Sequence, residues 1–415
     1  MIQYIVKSIL LPQGEKIRKL CQKLTNYLAQ FIIFSMILGY GAKNIWSFKD
    51  WMQIDLSLNK LVPSDVSMNL PASTVLCFKG ANASGKTNGI KILAFIIDFL
   101  TNSFNYKPGT PLYFDSYFLK KEPSEIYLQF LCDENEYLYE AVITNEKVVS
   151  EKLSLNDELA FERKFNSLTL NKLYSGNKDI SFRDNASFLS TLNQFEVPEI
   201  KNIYNYLSCN IVLNVGYKGH SSFDYYDYHF VAKKYHEFPS IFNSVIETIK
   251  LYDTGVETIE IKNKTDEAGN IFYYPQFIHE NDVGEKIALL FEMEAKGTQT
   301  LFRILLNFFI TLQSGGLLVL DEMDEYLDPE ILPHLLNFYI KEKNNPNHAQ
   351  LICTVHAPDI LDISGKYRTY IFKKIKNESI CYRLDEVKKL RNDRSITKEF
   401  KKHLIGGYPE IGKAE

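Results

Sequence analysis

"KGANASGKTN", Lys79 to Asn88, places Gly80, Gly85, Lys86 and Thr87 in the spacing G-x-x-x-x-G-K-[ST]. That spacing serves a local chemistry. Two glycines let the backbone turn tightly enough for several N–H groups to face one anion, the Lys86 ammonium reaches terminal phosphates, and the Thr87 hydroxyl offers an oxygen to Mg2+. Asn82, Ser84 and Asn88 are the polar neighbours in the same loop and complete the candidate nucleotide-binding set there. The flanks agree. "STVLCFK" (Ser73 to Lys79) reads as a buried strand, and "TNGIKILAFIIDFL" (Thr87 to Leu100) as a buried helix whose N-terminal dipole adds to anion binding. The stretch is therefore read as a P-loop.

The rest of the chain sets bounds on what that loop serves. Its 415 residues give room for two domains or for one large core carrying an insertion. With 45% hydrophobic and 24% charged residues it belongs to the globular class, and a formal net charge of -4 makes no demand for a nucleic acid partner, although a local basic patch stays open. The six cysteines form no C-x-x-C pair, which argues against a zinc site or a disulfide framework. Cys77 and Cys353 fall in expected core strands, so a reducing cytoplasm is the expected setting. "YLAQFIIFSMILGYGA" (Tyr27 to Ala42) is interrupted by Gln30 and Ser35 and is shorter than the roughly 20 residues of a membrane helix. It reads as the end of a helix over about 13–34 followed by a strand from about Ile37, with no signal-peptide cleavage site and no membrane partner expected.

Between the loop and about residue 285, "SEIYLQFLCDENEYLYEAVITNEKVVSEKLSL" reads as a β meander whose turns are "CDENE" and "TNEK". Over about 180–250 the pattern is more helical, and "FPSIFNSVIETIKLY" is its clearest amphipathic piece. The aromatic run "SSFDYYDYHF" (Ser221 to Phe230) reads as local packing, with a base-stacking platform or a partner surface as the competing readings. No heptad run and no repeat occurs, which excludes long coiled-coil arms.

The second half of the site lies in "GGLLVLDEMDEYLDPE" (Gly315 to Glu330). Leu317 to Leu320 form an apolar strand that delivers Asp321 and Glu322 at its end. Asp321 fits the Mg2+-side carboxylate, and Glu322 is placed to polarise a water against the γ-phosphate. A solvated acidic loop is the competing reading. In "EAKGTQTLFRILLNFF" (Glu294 to Phe309) a glycine turn opens an apolar helix 24 residues before Asp321, and "LICTVHAPDILD" (Leu351 to Asp362) is a strand ending in His356, 35 residues after it.

These pieces, in this order, resemble the SMC, RecF and OLD branch of the ABC ATPases. The resemblance is carried by "MILGYGAKNIWSFKD", "GANASGKTN", "EAKGTQTLF", "LDEMDEYLDPE", "VHAPDILD" and "LRNDRSITKEFKKHLIGGYPEIG", which run from Met36 to the end of the chain. Within that branch it is similar to compact, armless bacterial ATPases of abortive-infection and phage-defence systems, such as those named RloA or AbiL. The resemblance implies a mixed α/β P-loop head with an antiparallel β subdomain and an inserted α/β-helical subdomain. It also implies ATP and Mg2+ as cofactors, with Thr87 and Asp321 on the metal, and Lys86, Glu322 and His356 as catalytic groups, His356 as the switch histidine. Two heads would close head to tail on two ATPs, bringing Lys296, Gly297 and Thr298 of the signature to the nucleotide in trans, with Asp328 at the subunit contact. Two positions depart from the pattern. Ala295 stands where a serine is usual, so hydrolysis is expected to be slow or partner-dependent, and Trp46 replaces a cationic phosphate contact.

On this reading the chain divides into 1–35 (helical extension), 36–110 (head with the P-loop), 111–284 (meander and helical insertion) and 285–415 (signature, acidic pair and His356). Met36 is a second candidate start. Only 59 residues follow His356, fewer than a Toprim-type nuclease needs, so the expected function is an ATPase that regulates a separately encoded effector, such as a nuclease, in anti-phage defence. The alternative is a RecF-like module that binds DNA through a basic strip, for which the tail offers Lys388, Lys389, Arg391, Arg394, Lys398, Lys401 and Lys402. A transporter subunit is disfavoured by the large insertion and the missing L-S-G-G-Q, and a structural SMC by the missing arms.

Overall fold

The computed structural model describes residues 34–59, 62–164, 167–170, 180–216, 227–253, 255–325, 327–387, 390 and 395–407. All of the expected helix over about 13–34 but Phe34, the aromatic residues 221–226 and the tail cations Lys388, Lys389, Arg391 and Arg394 lie outside them. In chain order the strands are β1 (Ser35–Lys43), β2 (Met52–Asp55), β3 (Val75–Gly80), β4 (Ser124–Cys132), β5 (Asn135–Ile143), β6 (Val148–Leu155), β7 (Glu158–Lys164), β8 (Ser167–Leu170), β9 (Ile211–Leu213), β10 (Val256–Thr265), β11 (Ile271–Glu280), β12 (Lys286–Leu290), β13 (Leu317–Leu320), β14 (Gln350–Thr354), β15 (Thr369–Ile375) and β16 (Glu378–Arg383). The helices that matter to the site are α1 (Lys86–Asn102), α2 (Phe188–Gln194), α3 (Lys201–Cys209), α4 (Tyr228–Glu237), α5 (Pro239–Tyr252), α6 (Lys296–Ser314), α7 (Ile331–Ile340), α8 (Ile360–Ser364) and α9 (Ile396–Lys401).

The centre is a six-stranded sheet in the order β16-β15-β3-β14-β13-β9, parallel except for β16. Every residue of β3, β13 and β14 is buried, as parallel strands covered on both faces must be. Side-chain alternation then assigns each strand to two cores. Leu76, Phe78 and Val319 pack on one face with α1, α2 and α3, while Val75, Cys77, Leu318 and Leu320 pack on the other with α4 to α7. Cys77 and Cys353 face each other across β3 and β14 with sulfurs 3.7 Å apart, as free thiols.

A second, antiparallel sheet runs β2-β1-β4-β5-β6-β7-β8, so the expected meander continues the strand pair that precedes the P-loop. Its β4 residues Ile126, Leu128 and Phe130 share the first core with Ile92, Phe95 and Ile96 of α1. Buried Gln350 joins the two sheets: its amide donates to Ile37 O and Ser73 O, both at 3.0 Å, and its carbonyl accepts from Ile37 N at 2.7 Å. Inside the meander Glu151 meets Arg163 at 2.9 Å and accepts from the Tyr139 hydroxyl and Phe188 N. The third sheet, β10-β11-β12, covers the second core beside α6. Of the aromatic run, Tyr228 stacks on Phe291 with ring centres 4.6 Å apart.

The architecture is thus a mixed α/β P-loop head with an antiparallel β subdomain. Among the described residues the longest helix is α6 with 19 residues, too short for a coiled-coil arm. No described helix is long and apolar enough to cross a membrane. Two boundaries differ from the sequence reading. β14 stops at Thr354, two residues before His356, because Val355 makes its last sheet bond to Phe78 O and the chain then turns toward Pro358. Gly297 lies inside the first turn of α6, with Ala295 as its N-cap, rather than in a turn before it.

Candidate nucleotide-binding site

The loop between β3 and α1 sits at the carboxyl edge of the parallel sheet, where open α/β folds bind their ligands. Its glycines are sterically required. A Cβ on Gly80 would stand 2.3 Å from Phe372 O, and Gly85 has φ 108° with room for no side chain, since its Cβ would stand 2.5 Å from Ser379 Oγ. Lys86 folds back over the loop, donating to Gly80 O at 2.9 Å and to Ala81 O at 3.1 Å. Burial holds the Lys86 ammonium below the usual lysine range, and the carboxylates of Asp321, Glu322 and Asp324 oppose that shift. The buried Ser84 hydroxyl makes no hydrogen bond, and α1 begins without a side-chain cap. Thr87 and Asn82 are exposed at the mouth, and Asn88 donates to Ser47 Oγ at 2.9 Å.

β14 lies between the loop strand and β13, and one of its hydroxyls holds the turn after β13. Thr354 Oγ1 donates to Asp321 Oδ1 and accepts from Glu322 N, each at 2.6 Å. Asn214, just past β9, grips the other side of Asp321. Its amide donates to Asp321 O at 2.9 Å and its carbonyl accepts from Asp321 N at 2.7 Å. Glu322 is exposed and left-handed at φ 51°, which turns its carboxylate away from the direction of β13.

His356 is exposed on the loop after β14. Asp324 Oδ2 accepts from His356 N at 2.5 Å and from Ala357 N at 2.7 Å, while Lys79 Nζ donates to His356 O. Burial pushes the Lys79 ammonium down to about 8, and Asp324 counteracts this while Lys86 adds to it.

The signature residues stand elsewhere, at the start of α6 against the second core. Thr298 is buried and donates to Asp253 Oδ2 at 2.5 Å, Lys296 Nζ reaches Gln299 Oε1 at 3.2 Å, and Glu294 binds His279 Nε2 at 2.7 Å. The Thr298 hydroxyl is thus engaged within its own chain, leaving the α6 N-terminus and exposed Lys296 as the presented groups. Trp46 packs its ring under Lys91 of α1, whose Nζ lies 4.5 Å from the ring centre.

The donor set fits a nucleotide with Mg2+. Among the described residues no group of three or more His, Cys, Asp or Glu side chains is placed to hold a metal by itself. A threonine hydroxyl and a single carboxylate suit Mg2+, which keeps water and phosphate oxygens in most of its positions. Orphaned Ser84, uncapped α1 and the folded-back lysine form a cradle for phosphate.

Residues 75–362 match the family described as "AAA domain, putative AbiEii toxin, Type IV TA system". The chain belongs to that family. The match runs from the first residue of β3 to Asp362 and so takes in the loop, the acidic pair and His356. No curated protein matches it by sequence. Among solved structures it is similar to an SMC head bound to the C-terminal winged-helix domain of ScpA, at 13% identity and a TM-score of 0.48 over 85% of this chain and 99% of that one. An SMC head domain from Thermotoga maritima is similar at 13% identity and a TM-score of 0.44, over 84% of this chain and 98% of that one.

The family's AAA domain is an ATPase-type nucleotide-binding domain, and four residues at its site here escaped the sequence reading. Thr354 and Asn214 hold Asp321, and Asp324 and Lys79 hold the chain at His356. A polar residue closing an apolar strand is the one signal the sequence carried for Thr354 and Asn214.

Proposed function

We propose that the protein binds ATP with Mg2+ at the Gly80–Thr87 loop and hydrolyses it. The observation that carries this is the single Thr354 hydroxyl bonded to both the Asp321 carboxylate and the Glu322 backbone, beside Lys86. In the reaction Glu322 accepts a proton from water as the water oxygen bonds to the γ-phosphorus. The bond from that phosphorus to the β,γ-bridging oxygen breaks, and ADP and phosphate leave. Lys86 exchanges its two loop carbonyls for phosphate oxygens, and the N–H groups at the start of α1 receive negative charge. Thr87 and Asp321 would hold Mg2+, which supplies charge neutralisation on the β- and γ-oxygens. His356 faces the same end of the sheet and serves as the contact to the terminal phosphate.

Exposed Lys296, Gly297 and the uncapped start of α6 meet the nucleotide of a second copy, giving an ATP-dependent dimer whose opening and closing governs a separately encoded effector in defence against phage. The family's description, which names a toxin of a type IV toxin–antitoxin system, supports a role in such a system. The testing experiment is Glu322→Gln, which lowers phosphate release by roughly 10²- to 10⁴-fold while Mg-ATP binding survives. Hydrolysis at the parental rate in that variant removes Glu322 as the base. Light scattering on the same variant with Mg-ATP, with and without duplex DNA, tests assembly. ATP-dependent dimers without DNA are the expected result, and co-elution of DNA with the ATP-bound form would favour a DNA-binding module instead.

A further inference from the structure

Lys79 is an unusual occupant of its position. It stands in the central strand of the parallel sheet, 5% exposed, where an aliphatic side chain would bury without cost and an ammonium is expensive unless partnered. Its partners come from three separate segments. Nζ donates to the carbonyl of His356, the carboxylates of Asp324 and Asp359 supply opposite charge, and the Phe400 ring of α9 lies 5.3 Å away. Asp324 closes the other side, taking the amides of His356 and Ala357 on one carboxylate oxygen. The N–H and the C=O of one residue are therefore held from opposite directions. Beyond Val355, whose amide bonds Phe78 O, these bonds tie exposed His356 to the sheet, while half-buried Ala357 also packs on the second core.

We propose that Lys79 is a positioning residue. Together with Asp324 it clamps the main chain at His356 between the phosphate-loop strand and the acidic turn after β13, so that the imidazole is presented at a fixed distance from the terminal phosphate. The clamp rests on the ATPase reading above for its role in the reaction, but its existence is a property of the apo chain. It also couples three moving parts. A shift of the acidic turn at Glu322 pulls on Asp324, and through it on the histidine, so the general base and the phosphate contact move as one unit.

The test uses the full chain as parent, Lys79→Met, Asp324→Ala and Asp324→Asn, with two readouts. Hydrogen–deuterium exchange of peptides covering 353–359 reports the clamp directly, and steady-state phosphate release reports its use. Lys79→Met is expected to speed exchange at the His356 and Ala357 amides and to lower kcat about tenfold with KM for ATP within about twofold, the size of one buried hydrogen bond expressed in the transition state. Asp324→Ala does the same, and Asp324→Asn, which keeps an acceptor oxygen, restores most of the protection. Parental exchange and parental kcat in Lys79→Met overturn the proposal, as does a lowered melting temperature with neither readout changed, because Lys79 then serves packing alone. If the parent hydrolyses no ATP, the ATPase reading fails and takes the clamp's role in the reaction with it, while the exchange data still decide whether the clamp exists.

Discussion

Replacing Thr354 by valine removes one hydroxyl and leaves the shape of a fully buried side chain intact. Two bonds go with it: a charge-assisted bond to Asp321 Oδ1 and the bond from Glu322 N, both 2.6 Å long. The first is worth about 1.5–3 kcal/mol and the second about 1 kcal/mol. The loss does not fall on folding alone. Glu322 sits at φ 51°, a conformation costing a non-glycine residue roughly 1–2 kcal/mol, and its N–H bond to Thr354 is part of what keeps it there. With that bond gone Glu322 is free to relax out of the left-handed region and carry its carboxylate away from the attacking water. If half of the lost energy is expressed in the transition state, kcat falls roughly ten- to thirty-fold. The remainder shows as about 1–2 kcal/mol of lost stability. Phosphate release at saturating Mg-ATP, paired with thermal unfolding, separates the two parts, and Thr354→Ser, which retains the hydroxyl, should recover most of the rate. A Thr354→Val protein that hydrolyses within twofold of the parent while melting lower would refute the reasoning, since Thr354 would then be a packing residue.

Gly85→Ala drives a Cβ to within 2.5 Å of Ser379 Oγ at φ 108°, and should cost about 2–3 kcal/mol and weaken ATP binding; Gly109→Ala, also left-handed but with nothing within 4 Å, should cost only about 1 kcal/mol, so equal midpoints in denaturant would refute the steric account. Glu151→Ala strands Arg163 in the meander core and should destabilise by about 3–5 kcal/mol, read as a shift of the urea midpoint; a loss under about 1 kcal/mol would mean that Arg163 finds water. Lys79 in the folded chain loses its proton near pH 8 and in the unfolded chain near about 10.4, so between these values the unfolded state holds more protons and stability rises with pH. The stability of the parent relative to Lys79→Met should therefore increase from pH 8 to about pH 10, and a flat difference would place Lys79 in contact with water.

The resemblance to a named branch of defence ATPases extends further than the family match does. The family establishes an AAA domain over 75–362, and the chemistry of the loop and acidic pair is consistent with it. The defence role, the dimer and the effector belong to the proposed function.

Elements whose information is local are legible in the amino-acid sequence. The P-loop is legible because its two glycines and its lysine act within a single turn, and β13 is legible because four apolar residues in a row fit only a strand covered on both faces. Asp321, Glu322 and His356 were readable for a related reason: each follows a short apolar strand, by one or two residues. How these ends are tied together follows from the fold. That β14 lies between β3 and β13, so that Thr354 reaches Asp321, depends on strand order, which no local pattern encodes. Asn214, 107 residues from Asp321, and Lys79, 277 residues from His356, are brought to their partners by parallel pairing across long connections. Thr298 shows the same limit from the other side, since its hydroxyl, expected at a nucleotide in trans, is taken by Asp253 at the end of α5. The first shell of the site is written in short stretches because its chemistry is short-ranged; what orients that shell comes from side chains far apart in the sequence, and only folding chooses them.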